Sequence, residues 1–151
     1  MMRRIVPLVF SCLLLAGCSA QAPASVDLEE LAQSLLDSGA FEETLYEVDS
    51  DAAALLLDME LTCEESYVYV GSGATAEELV LLKAADEDGA AALLEGLSSH
   101  LADRTAQYSA YLPEETFKLE SAVLKQYGTY VVLCISADSD TVEEILGEYM
   151  A

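Results

Sequence analysis

Residues 117–136 read FKLESAVLKQYGTYVVLCIS, and the fold turns on this stretch. β-Branched and aromatic residues crowd both halves, and Tyr127-Gly128 interrupts them, so the stretch reads as two strands joined by a tight turn. Residues 66–84, SYVYVGSGATAEELVLLKA, repeat the pattern: an apolar run, a Gly-Ser-Gly break, and a second run that opens at Glu78. Strand pairs with such short connections must lie antiparallel.

Outside the two hairpins the apolar period becomes helical. In residues 26–41, VDLEELAQSLLDSGAF, Leu28, Leu31, Leu35 and Leu36 share one face, and Gly39 ends the helix. A short helix is expected over residues 49–59, DSDAAALLLDM. A long one is expected from Asp88 to Tyr111, with a stripe of Leu94, Leu97, Leu101, Tyr108 and Tyr111 or Leu112 that Pro113 stops. Residues 138–150, DSDTVEEILGEYM, form the last. Asp27 with Glu30, and Asp140 with Glu143, stand at capping-box spacing. Residues 44–49, TLYEVD, fit neither period. The expected fold is α+β: a single antiparallel sheet of about four strands, in two hairpins, with the long helix across one face and helices at both ends.

The chain begins MMRRIVPLVFSCLLLAGC. Arg3 and Arg4 form a positive start, Ile5 to Leu14 is an apolar run too short to span a bilayer, and Leu15-Ala16-Gly17 places small residues before a thiol. This is the form of a bacterial lipobox, with Cys18 the nucleophile that accepts diacylglycerol. The expected organisation is a lipoprotein signal peptide over residues 1–17, a lipidated tether over 18–26, and one α+β domain over 27–151. Lipid on Cys18 would hold the protein to the membrane on its extracytoplasmic side.

The apolar fraction of 53% supports a packed core. All 28 acidic residues follow residue 26, against four cations beyond the leader: Lys83, Arg104, Lys118 and Lys125. That balance excludes nucleic-acid binding by phosphate neutralisation. Cys63 and Cys134 remain after the leader and Cys18, and leave a disulfide open; Cys134 also suits a buried apolar strand. They form no metal motif with the single histidine, His100, and no cofactor motif is present. His100 follows two serines on the long helix without a nucleophile elbow, and reads as a surface histidine. Gly71-Ser72-Gly73 reads as a hairpin loop rather than an anion cradle. The acidic clusters at 49–51, 86–88 and 138–140 lack the offsets of a calcium loop; each stands where a helix begins, so capping explains them, with weak calcium association at most.

Arg104 is the exception to the bland reading. It is the sole arginine beyond the leader, it precedes Gln107, Tyr108 and Tyr111 on the long helix, and amid so many acids it should be held by a carboxylate. Glu78, at the start of a strand the helix must pass, is the expected partner.

The lipobox, the hairpin ending AEELVLLKA, the helix carrying RTAQYSAYLPEE and the strand pair SAVLKQYGTYVVLCIS together resemble the bacterial lipoprotein family known as domain of unknown function 4358. The resemblance implies a Gram-positive, Clostridia-type envelope lipoprotein. Its motifs fall on Glu78; on Arg104, Gln107, Tyr111 and Pro113; and on Gly128 and Tyr130. It implies no activity and no catalytic residue. The functional expectation is a non-catalytic interaction or sensing module of the cell envelope with an envelope protein as partner. The alternative is a solute-binding or hydrolytic lipoprotein with a pocket between helix and sheet.

Overall fold

A computed structural model describes residues 25–151; the leader, Cys18 and most of the tether lie outside them. The described chain builds one sheet between two helical layers. Helices α1 (Leu28–Leu36) and α5 (Ser139–Tyr149) cover one face. Helices α2 (Ser50–Leu57), α3 (Glu87–Tyr111) and α4 (Thr116–Glu120) cover the other. The strands are β1 (Tyr46–Val48), β2 (Glu65–Val70), β3 (Glu78–Lys83), β4 (Val123–Tyr127) and β5 (Tyr130–Ile135), all antiparallel in the order β1-β2-β3-β5-β4.

The sheet therefore has five strands rather than about four. The fifth is β1, from the ambiguous stretch after residue 44. It is too short to show a period of two, and is a strand because it pairs Tyr46–Val48 with Val70–Val68.

Burial of β3 and β5 on both faces explains their unbroken apolar runs, which alternation alone would not give. Tyr69, Leu79, Cys134 and Val123 lie across from one another and pack under α1 and α5. Val68, Val80 and Leu133 do the same under α2 and α3. The register sets Glu78 on this second face, across from Val70 and Ile135, so its side chain points toward α3.

Carboxylates begin the helices, as expected of acids near exposed amide N–H groups. Asp27, Asp49, Asp86 and Asp138 accept from the amides of Glu30, Ala52, Gly89 and Thr141. At α5 the cap is thus Asp138, not Asp140, which lies in the first turn. The other correction is at residues 117–120, read as the start of a strand. FKLE is helix α4, entered through a 3-10 turn over Pro113–Glu115 that keeps the chain coiled past the end of α3. Cys63 and Cys134 are both free. Burial pushes the Cys134 thiol up to about 12, well above the range in which it would form a thiolate.

Candidate functional site

The buried stripe of α3 begins with Ala90, Leu93 and Leu97 and then changes character. Continued at steps of three and four, it passes through His100, Arg104, Tyr108 and Tyr111. Each of these polar groups finds a partner on β3 or on the loop that leads into it. Glu78 is the centre. Its side chain is 2% exposed; Oε1 bonds His100 Nε2 at 2.8 Å, and Oε2 lies 3.6 Å from Arg104 Nε. The structure thus brings Arg104 and Glu78 together as the sequence suggested. The guanidinium donates its hydrogen bonds elsewhere, however: Nε and Nη2 both reach the carbonyl of Ala76, at 3.3 and 3.1 Å. The Arg104–Glu78 contact is an ion pair beside that fork. Arg104 also sits 5.1 Å from the centre of the Tyr108 ring.

The reading of His100 as a surface histidine is corrected. Its side chain is only 9% exposed, because α3 crosses β3 at this point and turns the imidazole onto Glu78.

The loop over residues 71–77 is held by side chains from α3 and from the segment before β1. Tyr108 and Tyr111 donate to the carbonyls of Thr75 and Gly73, at 2.7 and 3.1 Å. Tyr111 does so while its ring stays largely exposed, so its place on the apolar stripe is only partial. Gln107 joins neither set of bonds and lines a cleft described below. The Gly-Ser-Gly loop does receive an anion after all, an internal one. The Ser72 amide and hydroxyl donate to the Glu43 carboxylate, as does the Thr75 hydroxyl. A Cβ on Gly71 would fall 2.0 Å from Glu43 Oε1, so glycine is needed there for close approach. Burial raises the Glu43 pKa, but the bonds from Thr75 and Ser72 outweigh it and hold the carboxyl below its ordinary value.

Sequence reasoning missed Lys118. It is fully buried on α4, and its ammonium meets Glu42, Glu77 at 3.3 Å and Glu115 at 3.1 Å. These carboxylates are themselves anchored. Glu77 accepts from the amides of Glu42 and Glu43, and Glu115 from that of Ala76. Burial disfavours the ammonium, but the bonds from Glu42, Glu115 and Glu77 more than reverse this, so its pKa lies above the ordinary lysine value. The signal available was scarcity: with four cations among 28 acids, any lysine on an amphipathic segment has carboxylates competing for it. All four cations are in fact paired, Lys83 with Glu64 and Glu65, and Lys125 with Glu143.

Along the flank of α3 that meets α2, His100, Arg104 and Gln107 line an open cleft of about 350 Å³, whose other wall is the end of α2 at Leu56, Leu57 and Asp58. The cleft lies between two helices rather than between helix and sheet. Beside it Leu55 and Leu56 are exposed. Among the described residues no three His, Cys, Asp or Glu side chains are arranged to hold a metal ion, and no helix is long and apolar enough to cross a membrane.

Residues 37–136 match the profile of a family described as Domain of unknown function (DUF4358). The match runs from the end of α1 to the end of β5, and includes Glu78, Arg104 and Lys118. No curated protein and no solved structure matches the chain.

Proposed function

We propose that this chain, which belongs to the DUF4358 family, is a lipid-anchored extracytoplasmic module that works by contact rather than by catalysis. The observation that carries the reading is the internal use of its charged groups. Arg104, His100, Lys118 and the carboxylates around them bind one another and the backbone of residues 72–78. They form a rigid frame that presents a surface, with exposed Leu55 and Leu56 at its edge. Attachment through Cys18 would hold that surface in the envelope, where a protein partner meets it.

Two experiments test the reading. Metabolic labelling with a clickable fatty acid should mark the wild-type chain and not Cys18→Ser; label persisting on the variant refutes the anchor. A photo-crosslinker at Leu55 should give a discrete adduct in envelope preparations that Leu56→Glu abolishes. Adducts unaffected by that change would refute the surface.

A second reading, solute capture, is favoured by one feature, the cleft between α2 and α3. It is within the size range of small-molecule sites, and a buried imidazole opens into it.

A further inference from the structure

Helix α2 carries more apolar side chain than the domain uses. Ala53 and Leu57, one turn apart, face the core and are buried, but Leu55 is 83% exposed and Leu56 51%. At 100° per residue, Leu55 points almost directly away from the core and Leu56 to one flank. The same side of the sheet holds the other large apolar or aromatic side chains that stand exposed among the described residues. They are Tyr111 on α3, Phe117 on α4, and Tyr46 on β1, which shares the face of Val48. The α1–α5 layer has none.

The charges around Leu55 narrow what could cover it. Asp51 precedes it by four positions and Asp58 follows it by three, so an acid stands about one turn, roughly 5 Å, to either side on the same stripe. Both acids are exposed, and neither forms an ion pair among the described residues. None of the four cations lies on α2, and all are engaged elsewhere. A second copy of this chain is a poor match. Packing α2 against itself sets Asp51 against Asp51 in the parallel orientation and against Asp58 in the antiparallel one. An anionic lipid surface is repelled in the same way. The complement is an apolar side chain with a cation one turn before it and one turn after it, which an amphipathic helix offers on a single face.

We propose that the exposed stripe of α2 docks a cationic amphipathic helix of a partner protein. An apolar anchor of that helix lies on Leu55 and Leu56, and a lysine or arginine stands beside each of Asp51 and Asp58. The proposal rests on the reading of this chain as a contact module and names the chemistry of its partner.

The test uses the full chain in phosphatidylcholine nanodiscs at moderate salt. The methyl resonances of Leu55 and Leu56 are the readout, and those of Leu146, buried on α5, the reference. Three lactam-stapled helices serve as probes: one with a leucine stripe flanked by lysines, one with glutamate for each lysine, and one with serine for each leucine. The first should shift the α2 methyls saturably and leave Leu146 in place. Leu55→Ser, read at Leu56, should weaken its binding about tenfold, and Asp51→Asn combined with Asp58→Asn about fivefold. The same two-charge change on α1, Glu29→Gln with Glu30→Gln, should leave binding unchanged. Equal weakening by the α1 change would mean diffuse attraction to an acidic protein and would overturn the proposal. Binding of the serine probe as tight as that of the leucine probe would remove the apolar anchor, and equal binding of the glutamate probe would remove the cationic class; either overturns it. Silence from all three probes also overturns it, and the contact reading falls with it only if the photo-crosslinker at Leu55 gives no adduct that depends on Leu56.

Discussion

Glu78 Oε1 bonds His100 Nε2 at 2.8 Å while its Oε2 faces Arg104 Nε at 3.6 Å, so one strand residue joins two side chains a single turn apart on α3. Because the carboxylate is buried, removing Arg104 leaves a charge with only an imidazole beside it. Arg104→Ala and Glu78→Ala should each cost roughly 3–5 kcal/mol, well above the cost of an exposed pair. The double variant should fall clearly short of the sum in urea unfolding; additivity would show that the two do not interact. Arg104→Lys should rescue poorly, since an ammonium cannot reproduce the paired bonds to the Ala76 carbonyl.

Lys118→Met should destabilise by a similar amount, roughly 3–5 kcal/mol, since it leaves Glu77 and Glu115 buried without a cation. Adding Glu77→Gln should recover part of the loss. Chemical denaturation of the three variants measures it, and no recovery would place the main cost in the amide bonds that Glu77 accepts.

Gly71→Ala should displace the Glu43 carboxylate and release Ser72 and Thr75, at about 1–2 kcal/mol for the lost charge-assisted bonds. In a Glu43→Ala background the same change should cost little. Equal costs in both backgrounds would mean that the strain lies in the backbone instead.

The same carboxyl sets a pH dependence. Its native pKa is below the ordinary 4.5, so its contribution is complete above that value and is lost as the pH falls through the native one. Hydrogen exchange of the Ser72 amide should therefore accelerate, relative to the intrinsic rate, as the pH falls below the ordinary carboxylate value, before β3 and β5 open. Simultaneous loss of protection in loop and strands would contradict it.

With all four cations of the described residues already paired, most of the carboxylates have no cation beside them. The melting temperature should rise between low and moderate ionic strength. A flat profile would show that the acids are spaced widely enough for repulsion to be minor.

Peptide mapping after alkylation of the native protein should find Cys63 modified and Cys134 untouched until unfolding. Equal labelling would mean that β5 opens on the timescale of the reagent.

Elements with a clear period were legible: the hairpins, α1, α3 and α5 could be placed from residue spacing. β1 was not, because three residues hold no period and become a strand only by pairing. FKLE at 117–120 alternates as a strand would, yet the 3-10 turn over Pro113–Glu115 carries the chain into a helix there, which sets Lys118 among carboxylates from three segments. Half of the site was visible. Arg104 stood out by scarcity, and Glu78 by its place at a strand end. His100 was not recognised because burial of a polar side chain shows in sequence only when the register across the sheet is known.

One bond far from the cleft bears on how the molecule would face its surroundings. The amide of Val26 donates to the Tyr130 hydroxyl at 3.0 Å, which pins the start of the domain to the layer of α1 and α5. Under the proposed acylation of Cys18, seven residues separate the lipid from Val26, a reach of roughly 25 Å at most. So short a leash would turn the α1–α5 layer toward the bilayer. The cleft, on the far side of the sheet, would then point outward, open to whatever diffuses through the wall.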